Sequence, residues 1–282
     1  MKANHPYSII LLLGAILVVT IAFSFSGCDA PLTPPQIFTN PMDTASSTFV
    51  SPFSTIISGP EDGDIITTES VIFNWKGNSS AYQFSYMIDS SGWSTSAGYT
   101  SAYLEYLDEG QHTFIVRALH LNTTSVESNP HVTLFTVDAV KGPSAMFTPR
   151  RIYAAVGQPF TFSVSAEEVN SLYGARLSIR YDPAKVAVDT ISPGSMMQGN
   201  GGSAILLPTI DNATGTILVD IATVGRHPKG VSGSGTLAVL KCRALTMGNA
   251  DFTFVRSDCS YRDTLNTPVA IRDLVGGRVV IR

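Results

Sequence analysis

Between Tyr173 and Tyr181 the chain alternates without a break. Tyr173, Ala175, Leu177, Ile179 and Tyr181 are apolar or aromatic, while Gly174, Arg176, Ser178 and Arg180 are small or polar. A period of two is the pattern of a strand with one buried face and one wet face. Asp182-Pro183 ends it, since proline supplies no ladder donor and aspartate starts turns. The strand offers a wet face for binding, and no catalytic constellation accompanies it.

Composition sets the class around that strand. Only 14% of the 282 residues are charged, and Thr, Ser, Gly, Val and Ile abound, which favours an all-β extracytoplasmic protein. The length allows two domains of about 100–150 residues, each with its own core. A net charge of -4 leaves no basic field for nucleic acid, so that partner is excluded.

Lys2 and His5 precede an apolar run from Ile9 to Phe25, and Ser26-Gly27-Cys28 follows. A short apolar stretch ending in small residues reads as an export signal over residues 1–27. Phe25-Ser26-Gly27-Cys28 resembles the lipobox of bacterial lipoproteins, although Phe25 stands where Leu, Val or Ile is usual. The resemblance implies cleavage before Cys28, lipidation of that residue, and a lipid-anchored protein at the bacterial cell envelope or surface. An uncleaved anchor is one alternative, since the run approaches the roughly 20 residues that span a bilayer. Ordinary secretion is the other, and all three place the body of the chain outside the cytoplasm. Residues 28–55 carry Pro31, Pro34, Pro35, Pro41 and Pro52 among polar residues and read as an extended spacer. A first strand near Phe53–Ile57 is the competing reading of its end.

Cys242 and Cys259 lie in an oxidising setting, where a bridge would close a loop of about 17 residues, worth ~3 kcal/mol in the chain-entropy model. Two unpaired, buried thiols are the alternative, and spacing alone does not decide between them. Zinc is disfavoured because no further Cys or spaced His lies nearby.

Residues 56–138 hold short strand candidates at Ile65–Thr67, Ser70–Trp75, Ala81–Ile88, Ala102–Tyr106, His112–Leu119 and His131–Val137, separated by turn signals such as Glu61-Asp62-Gly63-Asp64 and Asp108-Glu109-Gly110. This spacing predicts a β-sandwich. Val71-Ile72-Phe73-Asn74-Trp75, Tyr82-Gln83-Phe84-Ser85-Tyr86 and Gly110-Gln111-His112-Thr113-Phe114-Ile115-Val116-Arg117-Ala118 resemble fibronectin type III and related bacterial Ig-like modules. Modules of this kind are mostly spacers and sometimes bind sugars or proteins. Trp93, Tyr99, Tyr103 and Tyr106 are candidates for a carbohydrate platform, with core or loop-anchoring roles as the plainer alternative.

A short linker, Ala139-Val140-Lys141-Gly142-Pro143, leads to residues 144–282. Here Gln158–Ala166, Tyr173–Tyr181, Val186–Ile191, Ala204–Ile210, Thr216–Thr223, Thr236–Ala244, Ala250–Arg256 and Arg278–Ile281 read as strands, and eight or nine strands in about 140 residues suit a jelly-roll sandwich. Gly157-Gln158-Pro159-Phe160-Thr161-Phe162, the run from Leu172 through Tyr181-Asp182-Pro183, Gly215-Thr216-Ile217, Gly233-Ser234-Gly235-Thr236-Leu237-Ala238 and Gly276-Gly277-Arg278-Val279-Val280-Ile281 together resemble cohesin over nearly all of 145–282. Cohesins are jelly-roll modules that bind dockerin modules. A different sandwich of the same carbohydrate-binding superfamily is the competitor.

The resemblance implies that a protein partner with a dockerin-like module docks on the sheet face containing Tyr173–Tyr181. The family's polar positions there, typically an Asn and an Asp two apart, fall on Gly174 and Arg176, so this chain departs at both. Gly174, Arg176, Ser178 and Arg180 are therefore the candidate partner-binding residues. Arg176 and Arg180 are expected to reverse the local field and to favour an acidic or carbonyl-rich docking helix. A merely solvated face is the plainer account of both. Leu237 and Val239 are added as an apolar anchor, with the core as their alternative home.

Enzyme readings fare badly. Gly230-Val231-Ser232-Gly233-Ser234-Gly235 lacks the Gly-x-Ser-x-Gly of a nucleophile elbow, and Glu167-Glu168 would point to opposite strand faces. No calcium-loop motif appears, and neither a metal nor a cofactor is expected. The sequence therefore reads as a non-catalytic, membrane-anchored adaptor. A carbohydrate-binding surface lipoprotein, with polysaccharide as its partner, is the alternative.

Overall fold

The computed structural model describes residues 43–121, 124–198, 202–225 and 230–282. The expected signal segment, Cys28 and most of the expected spacer lie outside the described residues. Among the described residues no helix is long and apolar enough to cross a membrane.

The N-terminal part is built from β1 (Ser54–Ser58), β2 (Ile65–Ile66), β3 (Val71–Gly77), β4 (Gln83–Ile88), β5 (Ser101–Leu104), β6 (Gly110–Leu119) and β7 (His131–Val137). They form two sheets, ordered β1-β3-β5 and β2-β7-β6-β4. Alternation in β3 sends Phe73 and Trp75 inward and leaves Ile72 exposed. Phe73 stacks on Phe114 of β6 with ring centroids 3.9 Å apart, which ties the two sheets together. β1, partly inside the expected spacer, is fixed by a buried carboxylate. Glu127 accepts hydrogen bonds from the Ser54 amide (3.0 Å), the Ser54 hydroxyl (2.6 Å) and the Ala118 amide (2.8 Å). Three donors offset the cost of burying that charge.

The C-terminal part is a sandwich of β8 (Ser144–Thr148), β9 (Arg151–Ala154), β10 (Pro159–Arg180), β11 (Val186–Pro193), β12 (Ser203–Asp211), β13 (Thr216–Val224), β14 (Val231–Ala244), β15 (Gly248–Phe254), β16 (Ser260–Asp263), β17 (Pro268–Val269), β18 (Leu274–Val275) and β19 (Gly277–Ile281). The two strands expected at Gln158–Ala166 and Tyr173–Tyr181 are one continuous strand, β10. Its first half pairs with β14 and β8, and its second half pairs with β13 and β16. Register shifts around Val169, with left-handed backbone at Glu168 (φ 46) and Ser171 (φ 54), let it pass from one layer to the other. The expected alternation holds from Ala175 on: Ala175, Leu177, Ile179 and Tyr181 face the core beside Phe162, Phe252, Val219 and Leu240. It fails at Tyr173, which is only half-buried, because a register shift between Leu172 and Gly174 puts Leu172 in the core instead. Gly215 is required at the turn before β13, because its φ is 68 and a Cβ there would lie 2.2 Å from the Tyr181 carbonyl oxygen.

The linker is held from both ends. The Glu109 carboxylate accepts from the Ala139 and Val140 amides, and Glu168 accepts from the Gly142 amide at 2.8 Å. Arg150, nearly fully buried, reaches back to Glu69 (2.6 Å) while its Nε donates to the Gly276 carbonyl at 3.2 Å. Its amide donates to Asp108 at 2.6 Å. The two sandwiches are thus in direct polar contact.

Candidate functional site

The layer made of β12, β13, the second half of β10 and β16 turns one side outward. The antiparallel registers line its outward residues up in rows. Ile205, Ala222, Gly174 and Arg262 form one row, and Leu207, Asp220, Arg176 and Ser260 the next. Thr209, Leu218 and Ser178 follow, then Asp211, Thr216 and Arg180.

Arg176 and Asp220 face each other across β10 and β13 and pair in a two-pronged geometry, with Nε–Oδ1 at 2.7 Å and Nη2–Oδ2 at 3.0 Å. The Asp220 hydrogen bonds raise the Arg176 pKa further above its ordinary value. The expected reversal of field at Arg176 is therefore corrected, because that cation is neutralised by its cross-strand neighbour. Arg180 stays exposed at the end of the strand, and among the described residues it makes no ion pair.

Ser178 is on the correct strand face but is only 6% exposed. The segment before β16 lies against it, and the Ser178 amide donates to Cys259 Sγ at 3.4 Å. Gly174 is half-buried opposite Ala222.

Leu237 and Val239 do not join this site. They sit on β14, which pairs with the first half of β10 in the other layer. Leu237 lies at a register shift between Thr236 and Ala238 and is wholly buried in the core, while Val239 turns to the outside of that layer. The exposed apolar side chains of this side are instead on β12, where Ile205 is 48% and Leu207 65% exposed. With Gly174, Arg176, Asp220 and Arg262 these two line a shallow depression of about 360 Å³. A second depression of about 560 Å³ continues past Ser178 and Leu218 to Asp258 and Cys259. The sequence carried one signal for these side chains. Ala204-Ile205-Leu206-Leu207 is apolar at both parities, and in a two-layer sandwich one face of each strand looks away from the core.

The cysteines do not pair; both are free thiols. Cys242 points into the core from β14, where burial pushes its pKa up to about 12. Cys259 is held at the edge of the other layer by the Ser178 backbone, so each thiol has its own packing role.

The remaining chemistry-bearing residues serve the fold. Ser234 donates to Glu167 at 2.6 Å and the Ser171 amide donates to Ser232 at 3.0 Å, cross-linking β14 to the bend of β10. His112 is fixed between Asp89 (2.9 Å) and the Asp108 carbonyl (2.8 Å). Among the described residues no group of three or more His, Cys, Asp or Glu side chains is placed to hold a metal ion. The four aromatics considered for a sugar platform are not one surface. The Arg117 guanidinium covers the Trp93 ring at 3.8 Å, whereas Tyr103 and Tyr106 line a separate cleft that includes neither Trp93 nor Tyr99.

Comparison with known proteins finds similarity in the C-terminal part of the chain. Residues 148–275 match the family model of the cohesin domain. Among solved structures, a non-cellulosomal cohesin from the archaeon Archaeoglobus fulgidus is similar at 18% identity, covering 49% of this chain and 91% of that one, with a TM-score of 0.39. The structure of a type I cohesin–dockerin complex from Clostridium thermocellum is similar at 18% identity over 49% of this chain and 92% of that one, TM-score 0.41. A type II cohesin module from an adaptor scaffoldin of Acetivibrio cellulolyticus is similar at 14% identity, covering 49% and 90%, TM-score 0.43. No curated protein gives a significant match.

Proposed function

We propose that this protein is a non-catalytic adaptor whose C-terminal sandwich captures a dockerin-like module on the open side of the β12–β13–β10–β16 layer. The observation that carries the reading is the pair of exposed aliphatic side chains, Ile205 and Leu207, set beside the Arg176–Asp220 ion pair. Large apolar groups left in water next to a fixed polar pair are what a protein interface uses as anchor and register. The cohesin match over 148–275 supports it. Because Arg176 is already paired, the partner need not be acidic at that point; it must bring an apolar ridge that covers Leu207. The N-terminal sandwich, with its β1-β3-β5 and β2-β7-β6-β4 sheets, serves as an Ig-like stalk. Lipidation at Cys28 would tether the whole to the cell envelope.

The test is titration calorimetry of the full chain against recombinant dockerin modules from the same genome. Binding by at least one module, lost in Leu207→Asp, is expected. Absence of binding to every module, or binding indifferent to Leu207→Asp, overturns the assignment. Tethering is checked separately: Cys28→Ser should move the protein from the membrane to the soluble fraction and abolish labelling by a radioactive fatty acid.

A further inference from the structure

A second concave site lies where the two sandwiches meet. It is a cleft of about 340 Å³, bounded by Tyr103, Glu105 and Tyr106 of the N-terminal sandwich and by Arg151 and Tyr153 on β9. Small-molecule pockets favour domain boundaries and begin at roughly this size. Tyr103 is 60% exposed and leaves most of its ring in water, while Tyr153, 54% exposed, carries the Arg282 guanidinium over its ring. Tyr106 holds a left-handed backbone (φ 58), which bulky residues rarely adopt and which tends to mark functional sites.

The cleft's charges define what fits. Asp89, Glu105 and Asp108 line it against a single arginine, Arg151, with His112 fixed between Asp89 and the Asp108 carbonyl. Arg278 and Arg282 also stand over its tyrosine rings, so three guanidinium groups balance the three carboxylates and the cleft favours neither an anion nor a cation. The cation positions over the rings are already taken by the protein itself. The Arg151 and Arg278 guanidinium groups lie 4.7 and 5.1 Å from the Tyr106 ring centre, and that of Arg282 lies 4.4 Å from Tyr153. What remains is a neutral molecule with an apolar face and hydroxyls that both donate and accept. Arg151 and Glu105, an ion pair at 3.4 Å, supply the matching donor and acceptor side by side.

From this geometry we infer a binding site for a short segment of neutral glycan, with a pyranose ring against Tyr103, Tyr153 forming the rim, and hydroxyls on Glu105 and Arg151. The site goes beyond the dockerin-type reading and shares no residue with the β12–β13 face. It is tested by native affinity electrophoresis of the full chain in gels containing hydroxyethylcellulose, xylan, galactomannan or mixed-linkage β-glucan, with polygalacturonate as the anionic counterpart. The expected result is retardation by at least one neutral glycan, weakened roughly tenfold or more in Tyr103→Ala/Tyr153→Ala. Glu105→Gln should weaken it too, and Leu207→Asp should leave it unchanged. Both tyrosines are exposed, so circular dichroism and melting of the double variant should match the parent. No retardation by any neutral glycan, stronger retardation by polygalacturonate, or full retardation of the double variant each overturns the inference.

Discussion

The two layers of the C-terminal sandwich share strand β10, yet their outer sides differ. On the β11–β14 side, Val239 lies between Ser192 and Ser163, and Lys241 between Thr190 and Thr161. Arg243 pairs with Asp189 at 2.8 Å. Among the described residues, no large hydrophobic of β11, β14 or the first half of β10 is exposed. The β12–β13 side has the same pleat and a comparable ion pair, but it adds Ile205 and Leu207 in water. An arginine–aspartate pair on a sheet surface therefore distinguishes neither side, and exposed apolar area at the edge strand does.

The comparison can be broken in order of expected effect. Leu237→Ala should cost about 2–5 kcal/mol by chemical denaturation, because a wholly buried side chain leaves a cavity, while affinity of the folded protein for its partner stays unchanged. A loss of affinity with unchanged stability would put Leu237 back in the interface. Leu207→Asp should weaken partner binding roughly a hundredfold with little change in melting, as an anchor at an interface centre does. Val239→Asp, its counterpart on the other layer, should change affinity less than about threefold. Equal effects from the two would erase the distinction between the sides.

Arg176→Glu comes next. It sets two carboxylates opposite each other and should slow association by about tenfold, more so at low salt, with a smaller change in dissociation. Stopped-flow measurements at two ionic strengths decide this, and an unchanged rate would remove the ion pair from the encounter surface. The two thiols give the smallest signal. Cys259 should react with a thiol reagent in the native protein well before Cys242, and mass spectrometry after alkylation in denaturant should count both as free. The buried Cys242 thiol has its pKa raised from 9.0 to about 12, so the folded state keeps that proton longer than the unfolded chain does. Its contribution to stability is whole below about pH 9 and is lost toward pH 12, by at most about 1.4 kcal/mol per pH unit. Cys242→Ala should flatten that alkaline slope in pH-dependent denaturation.

What the residues disclosed in advance followed local pattern. The period-two run at Leu177/Ile179 named the inward face of β10, because alternation is set by the pleat alone. The site was only half legible. Gly174, Arg176 and Arg180 could be placed on one wet face from their own strand, but Asp220 comes from β13, and which residue stands opposite Arg176 is a matter of register between strands. Leu237 misled for a similar reason: the register shift beside it breaks the alternation from which an outward direction would be read. The continuity of β10 was hidden by Glu168 and Ser171, whose positive φ values look in sequence like an ordinary polar break.

That continuity has a mechanical side. A partner tugging on the β12–β13 surface loads a strand whose far half is laced into the opposite sheet by β14 and β8. The force runs along the strand into a second ladder instead of ending at a loop, so many hydrogen bonds must slide together before the module gives way. Under the proposed adaptor role, with cargo at one end and a tether at the other, the bent strand would act as a tie-rod.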